Sequence, residues 1–324
     1  MKIAVLKERY TNETRVAITP DTVKLFIKDN FKVCVENNAG LASGFSNEEY
    51  ISAGASISKV PLEVVSDADI ILKVQPTPMA EEISELNFAK KGAVIIGLLN
   101  PSQNTDLIQA YASKKISAIA LELLPRITKA QSMDVLSSQS NLAGYRSVIE
   151  AAYHYGKAMP MMMTAAGTII AAKVLVLGAG VAGLQAIATA KRLGAVVCGY
   201  DVRAATKEQV ESLGAKFINN IGQNIEGGGG YAAELTQDSQ KQQEKLLAEH
   251  ASKNDIIITT AQIPGRQAPV LLTKAMLSSM RRGSVVVDLA ASSGGNTAIT
   301  QADKVVELNG VKVVGYSNMP SLIP

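Results

Sequence analysis

At 324 residues the chain exceeds the roughly 100–200 residues of one ordinary domain, which points to two. Hydrophobic residues at 47% against 19% charged can fill cores and exclude intrinsic disorder. A net charge of +3, 4% aromatics and no Trp argue against a nucleic-acid footprint, while two Cys and two His make neither a disulfide framework nor a zinc cluster.

The N-terminus MKIAVLKERY returns to charge after four apolar residues, too short for a signal-peptide core. Residues 2–6, 32–36, 70–73, 94–98 and 117–122 are nearly continuous apolar runs, the pattern of strands buried on both faces of a parallel sheet. Between the first two, a helix is predicted over 20–30, with Thr19 to cap it, Pro20 in its first turn and Val23, Leu25 and Phe26 as its apolar stripe. Residues 125–140, PRITKAQSMDVLSSQS, are polar and read as a loop. A helix follows over 141–157, where Leu142, Tyr145, Ile149, Ala152 and Tyr153 recur at helical spacing; His154 on it reads as structural. The run MPMMM at 159–163 reads as core or interdomain packing. No uncharged stretch reaches the ~20 apolar residues of a membrane span.

A second strand series over 173–177, 195–200, 256–259, 284–288 and 312–315 again alternates with helical patterns. Such alternation implies right-handed crossovers and parallel sheets. The expected fold is α/β, with two Rossmann-like doubly wound parallel-sheet domains separated by a cleft. The first spans 1–137 and the second 138–316, and the end, 317–324, returns to the first. Cys34 and Cys198 fall inside apolar strands and read as core.

Residues 173–201, KVLVLGAGVAGLQAIATAKRLGAVVCGYD, carry the first functional signal. A strand enters Gly178, Gly180 and Gly183 in GxGxxG spacing, a helix opens at Val181, and a second strand ends on Asp201. Gly178 permits the tight turn, Gly180 admits a pyrophosphate to the backbone, and Gly183 lets helix and strand pack closely. The helix N-terminus offers unpaired N–H groups to a phosphate. A glycine-rich turn without a ligand has the same spacing; the acid favours a dinucleotide. Asp201 accepts hydrogen bonds from both ribose hydroxyls and repels a 2′-phosphate, which favours NAD(H). Arg203, two positions on, suits a 2′-phosphate and leaves the alternative open.

Through these and further segments, the chain resembles the proton-translocating NAD(P) transhydrogenase family, namely the NAD(H)-binding domain I of its alpha subunit, and more distantly alanine dehydrogenase. The resemblance runs through ETRVAITPD at 13–21, residues 125–152, GAGVAGLQAIATAKRLGAVV and YDVRAATKEQVESLGAKF within 178–217, GGYAAE at 229–234, and IPGRQAPVL with VVVDLA between 263 and 290. It implies an oxidoreductase and translocase that presents NADH for direct hydride transfer to NADP⁺ on a partner domain. In the full complex that step is coupled to proton translocation across a membrane. The partners implied are the NADP(H)-binding and transmembrane domains and a second copy as homodimer, with no nucleic acid. The location implied is cytoplasmic, peripheral on the inner membrane. Relatives continue past Pro324 into a helix returning to the first domain, so the sequence reads as truncated.

The resemblance also assigns residues. Arg126, Gln131 and Asp134, with Ser137 after them, hold the nicotinamide end; without it, Asp134 reads as a helix-capping residue. The four glycines 227–230 place no steric limit on φ, and in the resemblance Gly230 belongs to a mobile loop with Tyr231 as its aromatic latch. Gln243 lies near that loop, Val202 and Arg203 follow Asp201 at the nucleotide, and Gln262 stands where the family usually has Leu. Residues 167–172 lack an expected proline. Alanine dehydrogenase is the alternative reading. Its catalytic Lys and His positions fall on Gln75 and Asn100, and its Asp on Ser292. Gln and Asn supply no proton at neutral pH, so that chemistry loses its acid–base pair. Arg15 remains and reads as one half of a structural ion pair.

Overall fold

Strand Lys2–Val5 (β1) buries Ile3 and Val5 on one face and Ala4 on the other, because successive side chains point to opposite sides of a sheet. Lys32–Glu36 (β2) repeats the pattern with Val33 and Val35 against Cys34. Both faces are therefore core, which is why the runs are continuous rather than alternating. The computed structural model describes residues 1–79, 84–125, 127–218, 237–263 and 266–324. These fall into two units, Met1–Leu136 with Ser321–Pro324, and Ser137–Pro320.

In the first unit β1 and β2 are joined by Ser56–Ser58 (β3), Ile70–Leu72 (β4), Val94–Gly97 (β5) and Ser117–Ala120 (β6). Among the described residues they form one sheet in the order β3-β2-β1-β4-β5-β6, with every pairing parallel. The crossovers carry helices Pro20–Lys28 (α1), Asn47–Ser52 (α2), Pro61–Val65 (α3), Glu85–Phe88 (α4) and Thr105–Ser113 (α5). α1 starts as its sequence dictates, with the Thr19 hydroxyl accepting from the Thr22 N–H at 3.3 Å.

Helix Val135–Tyr155 (α6) leads into the second unit, where an antiparallel pair follows, Met162–Thr164 (β7) and Gly167–Ile169 (β8). Then come Lys173–Leu177 (β9), helix Val181–Arg192 (α7), Val196–Tyr200 (β10), helix Thr206–Ser212 (α8) and Lys216–Phe217 (β11). Helix Gln237–Ala251 (α9), Ile256–Thr259 (β12), helix Lys274–Ser279 (α10), Val285–Asp288 (β13), Val305–Leu308 (β14) and Val311–Val314 (β15) complete the order. The sheet runs β11-β10-β9-β12-β13-β15-β14, parallel except for the edge strand β14. In both sheets the chain leaves the first strand in one direction and returns to its other side, so a topological switch lies beside β1 and β9. Strand order and helical crossovers are those of doubly wound Rossmann-like sheets, as expected. Among the described residues no helix is long and apolar enough to cross a membrane.

Two expectations are corrected. Residues 128–140 are helical rather than a loop: a 3-10 helix covers Thr128–Met133 and α6 begins at Val135, six residues before the predicted start. Ser and Gln are middling helix formers, and the buried stripe Ala143, Ser147, Val148 and Ala151 propagates helix back through them. The methionine run is not core as a whole. Met159 is buried, but Met161, Met162 and Met163 are 60, 47 and 73% exposed at and on β7.

Candidate functional site

The C-terminal end of β9 meets the N-terminus of α7 at the switch in the second sheet. Gly178 sits at φ +99°, a conformation that L side chains rarely adopt, and its N–H donates to Tyr200 O at 2.8 Å. A Cβ there would lie 2.4 Å from Thr260 Oγ1. At Gly183 a Cβ would lie 1.8 Å from Gly178 O, so α7 reaches the strand only through glycine. Both residues are needed by the protein itself.

Gly180 is different. Its φ is −79° and its backbone is extended, open to any residue, and among the described residues no atom lies within 4 Å of a Cβ placed on it. It caps α7, accepting from Leu184 N at 2.8 Å, and Val181 begins the helix 40% exposed. The leading N–H groups of the helix have no intrahelical acceptor and lie at its positive end.

Asp201, at the end of β10, is 5% exposed. Its Oδ2 accepts from Ala179 N at 2.7 Å, tying the acid to the glycine turn. Arg203 pairs with it through Nε to Oδ1 at 2.9 Å and Nη2 to Oδ2 at 2.7 Å. Val202 lies between them, half-buried. Gln243 on α9 donates to the Tyr200 hydroxyl at 3.1 Å, and burial pushes that phenol above its ordinary range. Gln262, exposed after β12, donates to Leu289 O at 2.8 Å. The fold thus brings Gly178, Gly180, Val181, Gly183, Asp201, Val202 and Arg203 to one strand-end cluster. Gln243 stands beside it through Tyr200, and Gln262 lies on the neighbouring strand's loop.

Gln131 and Asp134 belong to the first unit, where Gln131 is exposed and its carbonyl accepts from Asp134 N at 3.2 Å. Ser137, in the first turn of α6, opens the second unit. Arg126, Gly230 and Tyr231, with the rest of the expected loop over 219–231, lie outside the described residues.

Sequence reading missed the scaffold behind the turn. Thr260 Oγ1 donates to Gly178 O at 3.1 Å. The fully buried Asn296 donates to Ala261 O at 2.8 Å and accepts from Ala261 N at 3.1 Å. Asp288 accepts from Asn296 N at 2.7 Å and from Thr259 Oγ1 at 3.0 Å. The fully buried pair Asp288–Asn296 thus fixes the β12 loop. Gly144 on α6 was missed as well: a Cβ there would lie 2.1 Å from Ala182 O, so α6 packs directly on the first turn of α7. No local motif marks any of these residues.

Comparison with known proteins decides the family. The model of the alanine dehydrogenase/PNT C-terminal domain matches residues 147–324, and that of the N-terminal domain residues 4–143. The chain belongs to the alanine dehydrogenase/PNT family. It is 57% identical over 324 residues to an NAD(P) transhydrogenase subunit alpha chain of Rickettsia prowazekii, covering 100% of this chain and 85% of that one. Alanine dehydrogenase of Bacillus subtilis is 31% identical over 332 residues, covering 100% and 81%. The crystal structure of transhydrogenase from Sinorhizobium meliloti superposes with a TM-score of 0.89 at 50% identity, covering 100% of this chain and 88% of that one. The expected kinship, near to transhydrogenase and further from alanine dehydrogenase, is borne out.

Within this family, the positions that the resemblance equates with alanine dehydrogenase's acid–base residues are occupied here by neutral amides. Gln75 Nε2 donates to Glu13 Oε2 at 2.7 Å, and Asn100 Nδ2 to Gln103 Oε1 at 2.8 Å. Arg15 is clamped by the same Glu13, through Nε at 2.8 Å and Nη2 at 2.7 Å. The buried Lys73 points at Glu8, 3.2 Å away. Burial pushes Glu8 above the ordinary carboxylate range against the pull of Lys73 and the Val74 and Gln75 N–H groups.

Proposed function

We propose that this chain is the NAD(H)-binding component of a proton-translocating transhydrogenase, and that its nucleotide lies across the β9–α7 turn. One observation carries the reading. Gly180 needs to be glycine neither for its backbone nor for any described neighbour, so the space beside it is kept for something other than the chain itself. The start of α7 suits a pyrophosphate, and Asp201 suits a ribose diol while repelling a 2′-phosphate. These residues fit a dinucleotide without the extra phosphate.

When bound, NADH supplies a hydride, and that transfer moves no proton to or from the protein. The chain's own residues therefore bind, orient and exclude water. Gly178 and Gly183 hold the turn, Thr260 and Asn296 hold the loop beside it, and Asp201 fixes the adenosine end. Arg126, Gln131, Asp134 and Ser137 are assigned to the nicotinamide end, with Tyr231 and Gly230 closing over it, on the family resemblance. Gln243 and Gln262 flank the nucleotide. The side-chain chemistry at Gln75, Asn100 and Arg15 supports this reading over an amino-acid dehydrogenase.

The acceptor is NADP⁺ on a partner domain, and a transmembrane domain couples the exchange to proton movement. Membrane association comes through that complex. The exposed methionines of the β7–β8 hairpin support a homodimer. The decisive variant is Gly180→Ala. We expect an unchanged melting temperature and NADH binding weakened by at least about tenfold, a loss of about 1.4 kcal/mol. Gly183→Ala is the contrast, because its Cβ collides with Gly178 O and lowers stability by about 1–3 kcal/mol. Undiminished NADH binding by a folded Gly180→Ala chain overturns the proposal.

A further inference from the structure

The carboxylate of Asp201 has two oxygens with about four acceptor positions between them. All four are taken. Oδ1 accepts the Arg203 backbone N–H at 2.9 Å and Arg203 Nε at 2.9 Å. Oδ2 accepts the Ala179 backbone N–H at 2.7 Å and Arg203 Nη2 at 2.7 Å. The two backbone donors are fixed by the turn and by the end of β10, and they hold the carboxylate in one orientation. The other two come from a single guanidinium, one on each oxygen. That guanidinium belongs to a side chain 20% exposed, while the Asp201 side chain it covers is 5% exposed. Arg203 is the movable half of the pair.

A ribose diol presents two hydroxyl donors on adjacent carbons and engages a carboxylate with one donor per oxygen. Withdrawing the guanidinium opens one position on each oxygen and leaves both backbone bonds in place. Arginine's planar fork suits the carboxylate for the same reason that a vicinal diol does: two parallel donors meet two parallel acceptors. Diol and guanidinium cannot hold the same two positions together.

We propose that Arg203 is a built-in stand-in for the ribose diol, a specificity-determining residue that competes with the nucleotide for Asp201. The proposal rests on the nucleotide-binding reading above and deepens it. Arg203 neutralises a nearly buried carboxylate that would otherwise be left unpaired, and in doing so lowers affinity for the diol. The affinity of any diol-bearing nucleotide is reduced by the fraction of time the guanidinium occupies the acid. The reduction falls on association, because the complex forms only after the fork has left. Arg203 so placed is no receptor for a 2′-phosphate, since Nε and Nη2 are both directed at Asp201.

The test compares the unaltered chain with Arg203→Ala and Arg203→Met, the second keeping the aliphatic stem in case the first loses stability. Calorimetry and stopped-flow binding are run with NADH, with AMP and with 2′,3′-dideoxy-AMP. We expect NADH and AMP to bind roughly tenfold tighter to the variants, with the gain in the association rate and the dissociation rate unchanged. The dideoxy nucleotide, which has no diol to compete, gains nothing. Weaker binding of NADH and AMP by both variants overturns the inference, as does an equal gain for the dideoxy nucleotide. Asp201→Asn separates the two levels of the claim. If that chain binds NADH as the unaltered chain does, the nucleotide reading itself is wrong and the Arg203 inference falls with it. If Asp201→Asn loses NADH while the Arg203 variants bind it more weakly, only the inference falls.

Discussion

At the scale of single residues, two groups outside the site report on how charge is held. His154 lies on α6 one turn after Glu150, whose Oε2 is 3.7 Å from its Nε2. Among the described residues that nitrogen has no hydrogen-bond partner. Burial pushes His154 below its ordinary value of 6.5, outweighing the upward pull of Glu150, and Lys312 pushes it further down. A histidine whose folded pKa lies below its unfolded one adds stability that is present above the unfolded value and lost as pH falls through the folded value. His250 is lowered by burial in the same sense. We expect the melting temperature to fall as pH drops from about 7 to about 5, and His154→Gln to fall less steeply. Parallel pH slopes for the two proteins would contradict this placement of His154. Cys198, by contrast, is inert: burial pushes its thiol up to about 11, and its Sγ faces Val174 O and Asn254.

At the scale of elements, legibility followed the range of the interactions. β9, α7 and β10 were readable because turn, cap and acid lie within one strand–helix–strand unit and each has a local reason to be what it is. Thr19 was readable as a cap for the same reason. β3, with sequence SIS, carries too little apolar signal to be seen, and β14, half exposed at the sheet edge, is assigned only by pairing with β15. The Asp288–Asn296 network joins side chains eight residues apart to a loop about 30 residues earlier, and no spacing rule encodes that. The β7–β8 pair was the plainest misreading, since hydrophobicity alone does not say whether a partner is the chain's own core. Two-stranded hairpins are marginal by themselves, and Met161, Met163, Ile169 and Ile170 are 60, 73, 53 and 71% exposed here. The proposed occupant is a second copy of this chain. We expect the double substitution Met163→Asp with Ile170→Asp to convert a dimer to a folded monomer in sedimentation analysis. A dimer that persists, or a native chain that is monomeric, removes the hairpin from that role.

At the scale of the whole molecule, two doubly wound units share one design, but glycine-rich phosphate chemistry appears on the second alone among the described residues. The corresponding strand end in the first unit is filled by internal charge pairs, Lys73 with Glu8 and Arg15 with Glu13. Paired charges of this kind define a rigid surface rather than supply a reacting group. The division of labour supports a protein that grips one nucleotide and leaves the second to another domain. The most direct measurement is calorimetric titration of the unaltered chain with NADH and, separately, NADPH at equal ionic strength. We expect saturable one-to-one binding of NADH and binding of NADPH weaker by at least about a hundredfold, the effect of setting a 2′-phosphate against Asp201. Equal or tighter binding of NADPH would contradict the assignment of this site to the nucleotide without the extra phosphate.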